Sequence, residues 1–144
     1  MSFDFRIVNG DLEIGADGDL GKVEDTEKLI QEILKIAHTP LGSNIFYPWY
    51  GSPISKSIIG NALDMEFIST VASSQLQTSL ENLQRLQQKQ ALEQRVTPFE
   101  QLAAVKSVTI SRNQVDPRFF LVIIEAVTRA LSVVTTQFSL KPTL

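Results

Sequence analysis

The sequence predicts an α+β domain. It should hold a small, mostly antiparallel sheet, made of N-terminal strands and a C-terminal three-stranded meander. Two main helices pack with it, one of them long. Three observations predict this. Apolar and polar residues alternate near the start, at Phe3–Val8. Apolar stripes at helical spacing, set among strong helix formers, fill 24–38 and much of 62–96. Alternating or β-branched runs separated by turn residues fill 104–140.

The chain has 144 residues, which suits one domain spanning 1–144 with a real hydrophobic core. A net charge of -3 argues against a nucleic-acid binder, which needs a basic face to neutralise phosphates. There is no cysteine, hence no disulfide framework, thiolate zinc site or cysteine nucleophile. The opening MSFDFRIVNGD has neither the basic start nor the apolar core of a signal peptide. The longest apolar run, Phe119 to Ile124, ends at Glu125, far short of the roughly 20 residues a membrane helix needs. No membrane partner is expected, and the chain should stay in the cytoplasm unless a larger particle carries it out.

In FDFRIV, Phe3, Phe5 and Ile7 alternate with Asp4 and Arg6, which is strand period. Asn9-Gly10 is a hairpin turn signal, and Leu12 to Ile14 can return as a short strand. Gly15 to Gly21 resembles half of a calcium loop but lacks the DxDxDG spacing and the closing glutamate, so it reads as an ordinary turn. Helix 24–38 starts at Asp25 or Thr26 as cap, with Glu27 in its first turn. Leu29, Ile30, Ile33, Leu34, Ile36 and Ala37 form its apolar stripe, and Thr39-Pro40 ends it. His38, the only histidine, has no carboxylate, serine or cysteine beside it that would make a catalytic set.

Residues 39–60 set Pro40, Pro48, Pro53, Gly42, Gly51 and Gly60 around Ile45, Phe46, Tyr47, Trp49 and Tyr50. Proline fixes φ and glycine frees it, so this reads as an ordered, multi-turn loop. Its aromatics either plug the domain's own core or face a partner, with Pro48, Trp49, Tyr50 and Gly51 the candidates. The long helix, 62–96, carries Leu76, Leu80, Leu83 and Leu86 as a seam that fades into glutamines. Either the seam lies on the sheet while the far end projects into solvent, or it packs against a helix of another chain.

Thr97-Pro98 stops that helix, and PFEQLAAV reads as a short turn or helix. In 105–111, Val105, Ser107, Thr109 and Ser111 share one expected face and Lys106, Val108 and Ile110 the other. RFFLVIIEAV reads as a central strand buried on both faces, and 133–140 as the last strand.

No nucleotide-binding, serine-hydrolase or zinc-peptidase motif is present, and no metal or cofactor site is expected. Glycoside cleavage needs one carboxyl of raised pKa and a second about 5 to 9 Å away. Glu66, Glu81, Glu93, Glu100 and Glu125 are the candidates, and none has a visible partner, so no enzyme is expected. An open sheet edge that can accept another chain's strand fits an assembly subunit better. A small cytosolic self-associating domain is the alternative from these residues.

One block carries a resemblance. Thr39, Pro40, Leu41, Gly42, Pro48, Tyr50, Gly51, Ser52, Ile58, Ile59 and Gly60 form a TPxG turn, a PxYGS loop and an Ile-Ile-Gly close. The chain thereby resembles the protein-W or gene-25-like baseplate wedge family of contractile phage tails, over nearly its whole length. The resemblance implies a structural protein of the virion tail baseplate, a hetero-oligomer in a six-fold particle made in the host cytoplasm. Its partners would be other wedge subunits and the tail sheath, met by helix packing and by sharing strands at 105–111 and 133–140. Some members of the family are described as lysozyme-like, which makes a cell-wall hydrolase the alternative function. Many members carry Glu-Pro-Arg before the first C-terminal strand. Here the stretch is Thr97-Pro98-Phe99-Glu100-Gln101, so the arginine is absent and Glu100 keeps only part of that polar role. The glutamine-rich stretch 83–95 extends beyond the usual pattern and is expected to join the wedge bundle, with Leu76, Leu80 and Leu83 as its contacts.

Overall fold

A computed structural model describes residues 2–54 and 65–140. The end of the aromatic loop with Ile58, Ile59 and Gly60, and the start of the long helix, lie outside the described residues.

The fold is α+β, as the sequence predicts. FDFRIV does not run as one strand. It divides at Arg6 into β1 (Asp4–Phe5) and β2 (Ile7–Val8). The hairpin expected at Asn9-Gly10 forms: β2 pairs with β3 (Asp11–Leu12), and both turn residues take positive φ, 52° and 83°. β1 pairs with β4 (Lys22–Val23). Among the described residues these are two separate two-stranded ribbons, and neither joins the C-terminal sheet.

Helix α1 (Asp25–His38) buries Leu29, Ile33, Ile36 and Ala37 on its predicted stripe. Its cap differs from expectation. Glu24 occupies the cap position without a side-chain bond, and Asp25 stands in the left-handed region at φ 51°. The Asp25 carboxylate instead accepts a hydrogen bond from the Thr97 hydroxyl, far along the chain. The N-terminal ribbons are fastened to α1 by Asp4, which accepts from Lys35 Nζ and Gln31 Nε2, and by Ile7 N–H donating to Gln31 Oε1 at 3.0 Å. Burial works against the Asp4 charge, but the bonds from Lys35 and Gln31 prevail and hold its pKa below the usual carboxylate value.

Helix α2 comprises Met65–Phe67, a single π-helical turn at Ile68–Ala72, and Ser73–Glu93. The chain adjusts at the π turn and does not break at Ser73-Ser74. A 3₁₀ turn, Pro98–Glu100, leads into a meander of β5 (Leu102–Arg112), β6 (Phe120–Thr128) and β7 (Val133–Leu140), ordered β5-β6-β7 and antiparallel throughout.

Both helices lie on one face of this sheet, so β6 is not buried on both faces. Phe120, Val122, Ile124 and Ala126 point into the core, whereas Leu121, Ile123, Glu125 and Val127 are only half-buried on the far face. Nor do Val105 and Ser107 share a face. A register shift between them leaves Lys106 as an extra residue and turns Val105 toward Ala126 on the core side.

Leu76, Leu80 and Leu83 are 0%, 0% and 3% exposed, packed in one core with Leu29, Ile33 and Ile124. Their seam faces the chain's own core, so these three side chains are not open to a helix of another chain. The glutamine-rich end of α2 is anchored in part, while residues 91–95 are exposed. Gln87 is buried, and Gln90 Nε2 donates to Ser2 Oγ at 3.0 Å. Leu80→Ala is expected to cost about 2–5 kcal/mol in urea unfolding, the range for emptying a buried leucine site. Serine at Leu76, Leu80 and Leu83 together should leave no cooperative transition at all.

Candidate partner-binding surface

The described part of the aromatic loop is a chain of stapled turns. Ser52 N–H donates to Thr39 O at 2.8 Å, closing the base. That approach requires a glycine next door: a Cβ on Gly51, which sits at φ 119°, would lie 2.6 Å from Thr39 O. Pro40 to Ser43 forms a turn closed at 3.1 Å, with Gly42 at φ 85° where a type II turn needs it. Asn44 Oδ1 then accepts from the N–H groups of Phe46 and Tyr47 at 3.0 and 3.1 Å. This is an Asx turn, in which a short polar side chain replaces a backbone acceptor. Tyr50 N–H closes a further turn on Tyr47 O at 2.9 Å. Three rings stack edge to face, Tyr47 on Trp49 at 5.6 Å and Trp49 on Tyr50 at 6.5 Å.

The loop divides its aromatics. Tyr50 packs against the core, where burial first, and then the charges of Glu32 and Asp4, raise its pKa. Gly51 is largely buried and lies at the groove that the loop forms with α2. Pro48 and Trp49 are exposed and, with Leu41 and Pro53, wall a groove of about 370 Å³ whose other side is Thr78, Ser79 and Asn82 of α2. Within the loop the most exposed apolar side chains are two that the sequence reading did not name as partner-facing, Ile45 at 89% and Phe46 at 86%. The signal that could have found them is Asn44, which marks a turn whose next residues point outward.

Glu100 is not partner-facing. The 3₁₀ turn aims it inward, it is 2% exposed, and neither carboxylate oxygen has a hydrogen-bond partner. Burial raises its pKa. The Lys28 charge and the nearby Thr97 backbone N–H pull the other way, while Glu32 and Asp25 add to the rise. Lys28 is itself buried, with Nζ 3.0 Å from Glu32 Oε1. Gln87 completes the cluster: its Nε2 donates to Glu32 Oε2 at 2.7 Å and to Glu100 O at 3.1 Å.

The two sheet edges differ. β5 carries Lys106, Arg112 and two register shifts, devices that discourage an incoming strand. β7 has eight residues with no charge, no proline and an unbroken register on β6. Among the described residues no strand pairs with its outer side. The His38 ring lies 4.6 Å from Phe138, so the end of α1 from which the loop springs rests against β7. Among the described residues no helix is long and apolar enough to cross a membrane.

The Glu100 environment gives a pH dependence of defined sign. Below about pH 4.3, where an unfolded glutamate also holds its proton, burial of the acid costs little. As pH rises, the unfolded chain ionises first, and the native state loses stability until Glu100 itself ionises. Glu100→Gln should therefore gain on the wild type from pH 4 toward neutrality, read as a widening difference in melting temperature. A difference that stays constant with pH would contradict the raised pKa.

No family model and no curated protein matches the chain. Among solved structures, a protein from Geobacter sulfurreducens described as a candidate tail lysozyme is similar in fold, with a TM-score of 0.51 and 17% sequence identity. The match covers 82% of this chain and 91% of that one.

Proposed function

We propose that this chain is a structural subunit of a contractile phage tail baseplate, placed in the wedge, and that it links wedge subunits to the tail sheath. The observation that carries this reading is the open, uncharged edge of β7, a template for a strand from a neighbour. Two further facts support it. The solved neighbour is described as a tail protein, and the TPxG and PxYGS turns that resemble the wedge family are the ones that staple the loop beside β7. The buried leucines shift the expected contact from helix packing to strands and loop.

A cell-wall hydrolase is the competing reading, favoured by the neighbour's description and by one acid of raised pKa near other carboxylates. Against it stands the burial of Glu100, which leaves no path for a polysaccharide. Glu66, Glu81 and Glu93 are exposed, and Glu125 lies on the open sheet face 3.8 Å from Lys106. A turbidity assay on purified cell wall tests this reading, and clearing that Glu100→Gln abolishes would establish it.

The structural reading is tested at the edge. Thr135 and Gln137 are exposed on β7, so lysine at both should change stability by no more than about 0.5 kcal/mol each. The charges guard the edge against an incoming strand. The double variant should fold as the wild type does by circular dichroism and be missing from purified tails. Its normal presence there would overturn strand sharing through β7.

A further inference from the structure

We infer that the chain dimerises through its aromatic loop: Phe46 of each copy enters the groove beside Trp49 of the other. The contact involves this chain alone, so it stands or falls apart from the assembly role above.

The two halves of the contact lie side by side. Ile45 and Phe46 are 89% and 86% exposed, so neither fills the groove of its own chain. The turns keep them out: Asn44 Oδ1 accepts from the N–H groups of Phe46 and Tyr47, and Tyr50 N–H closes the next turn on Tyr47 O. A side chain already held in its docked position loses little freedom on binding. The groove, of about 370 Å³, has Leu41, Pro48, Trp49 and Pro53 on its loop side. Pockets for whole small molecules start at roughly 300 Å³, so a phenyl ring fits with room to spare. Phe46 and Trp49 are three residues apart, a reach of at most about 11 Å. With donor and acceptor that close, one two-fold axis can seat both rings at once.

The groove accepts a ring without stranding polar groups. Its lining is uncharged and predominantly apolar. On the α2 side the Thr78 hydroxyl donates to Ser74 O at 3.2 Å and the Ser79 hydroxyl to Gln75 O at 3.1 Å. Asn82 Oδ1 accepts from Arg85 Nη1 at 3.3 Å, and Gln75 is not without a partner either. Hydroxyls already spent on helix carbonyls lose little when water leaves.

Charge selects a copy of this chain as the occupant. A two-fold contact brings a patch against itself, so any charge in it meets its like. The sequence from Thr39 to Ser55 has no Asp, Glu, Lys or Arg, and the groove matches it. The same lack of charge gives anionic lipid headgroups nothing to hold. Two phenyl rings at roughly 150–250 Å² each, with their grooves covered in return, bury about 600–1,000 Å², before Ile45 adds its share. That falls short of the roughly 1,200–2,000 Å² of a standard interface, so the dimer is weak and depends on concentration.

Sedimentation equilibrium of the purified full chain, from about 1 μM to 1 mM, should show monomer passing into dimer. Truncating an anchor of this kind weakens binding by about 30-fold or more, and each dimer loses two of them. Phe46→Ser should therefore stay monomeric, while Phe46→Leu still dimerises. Thr78→Glu sets a charge at an exposed position of the groove wall and should stay monomeric too. Both monomeric variants should melt with the wild type, because neither side chain lies in the core. Mixed in equal amounts, they should regain a weaker dimer, since Phe46 of one meets the intact groove of the other. A photo-cross-linking phenylalanine analogue at position 46, in a mixture of isotope-labelled and unlabelled chain, should join one copy to residues 75–82 of the other. A wild type that is monomeric at the highest concentration, a dimer untouched by Phe46→Ser, or cross-links confined to one copy would overturn the inference. Flotation with phosphatidylcholine–phosphatidylglycerol vesicles, lost in Phe46→Ser and accompanied by no dimer, would assign the tip to a membrane instead.

Discussion

One side-chain amide holds the layers of this fold in register. Gln87 of α2 donates to Glu32 of α1 and to the backbone of Glu100 in the 3₁₀ turn, and its Oε1 accepts from Leu102 N–H at 2.7 Å where β5 begins. Each partner is buried or half-buried, so loss of the amide would strand several polar groups away from water. Hydrophobic burial alone is non-directional and would tolerate a helix rotated or slid along the sheet. The amide does not tolerate it. Around it, Lys28 pairs with Glu32, and Thr97 donates to Asp25, so the chain is pinned to α1 on its way from α2 into β5. Glu100 is left unsatisfied inside this cluster. Its burial follows from the same turn that delivers its carbonyl to Gln87.

Once β5 is fixed at Leu102, the rest of the sheet follows by hairpins, and its exposure pattern is decided. The helices cover one face, so β6 alternates between a sealed side and a half-open one. The open side places Leu121 beside Ser111 and Ser139, Ile123 beside Thr109 and Gln137, and Val127 beside Ala104 and Val133. Among the described residues β7 is the outer strand of the sheet, and Phe138 on its inner face meets His38 at the end of α1. The loop and the open edge therefore start from one corner of the molecule. His38 Nδ1–H donates to Leu34 O at 2.8 Å, which fits the structural role its isolation in sequence suggested.

Much of this was legible in the sequence, and the failures have physical causes. Helix α1, the Asn9-Gly10 hairpin and the three-stranded meander could be read because periodicity and turn chemistry are local. The leucine seam of α2 was visible, but periodicity says only that a stripe is buried, not by which chain. Gln87 was invisible because a glutamine among helix formers looks solvated until α1, the 3₁₀ turn and β5 converge on it. The face of Val105 was misread since one extra residue, Lys106, inverts the alternation, and a bulge leaves no mark that period-two reasoning can see. In the loop, prolines and glycines announced order, whereas the division between Tyr50 inside and Phe46 outside depends on where Asn44 closes its turn.

The contrast between the two edges argues about use and not only about folding. β5 and β7 arise in the same meander, yet only β5 carries charges and register shifts. If exposure to water were the lasting condition of both, an eight-residue uncharged edge would invite pairing with any passing strand. The loop raises the same difficulty, with two bare apolar side chains and no charge from Thr39 to Ser55. A net charge of -3 gives only modest protection against association. Unprotected features are tolerable in a chain that spends its working life with them covered, and here both spring from the corner where His38 meets Phe138. An incoming strand at β7 and a second copy's groove over Phe46 would make the covering bivalent, so that each contact raises the local concentration of the other. Under the proposed assembly role, two individually weak contacts would together hold the subunit in its particle.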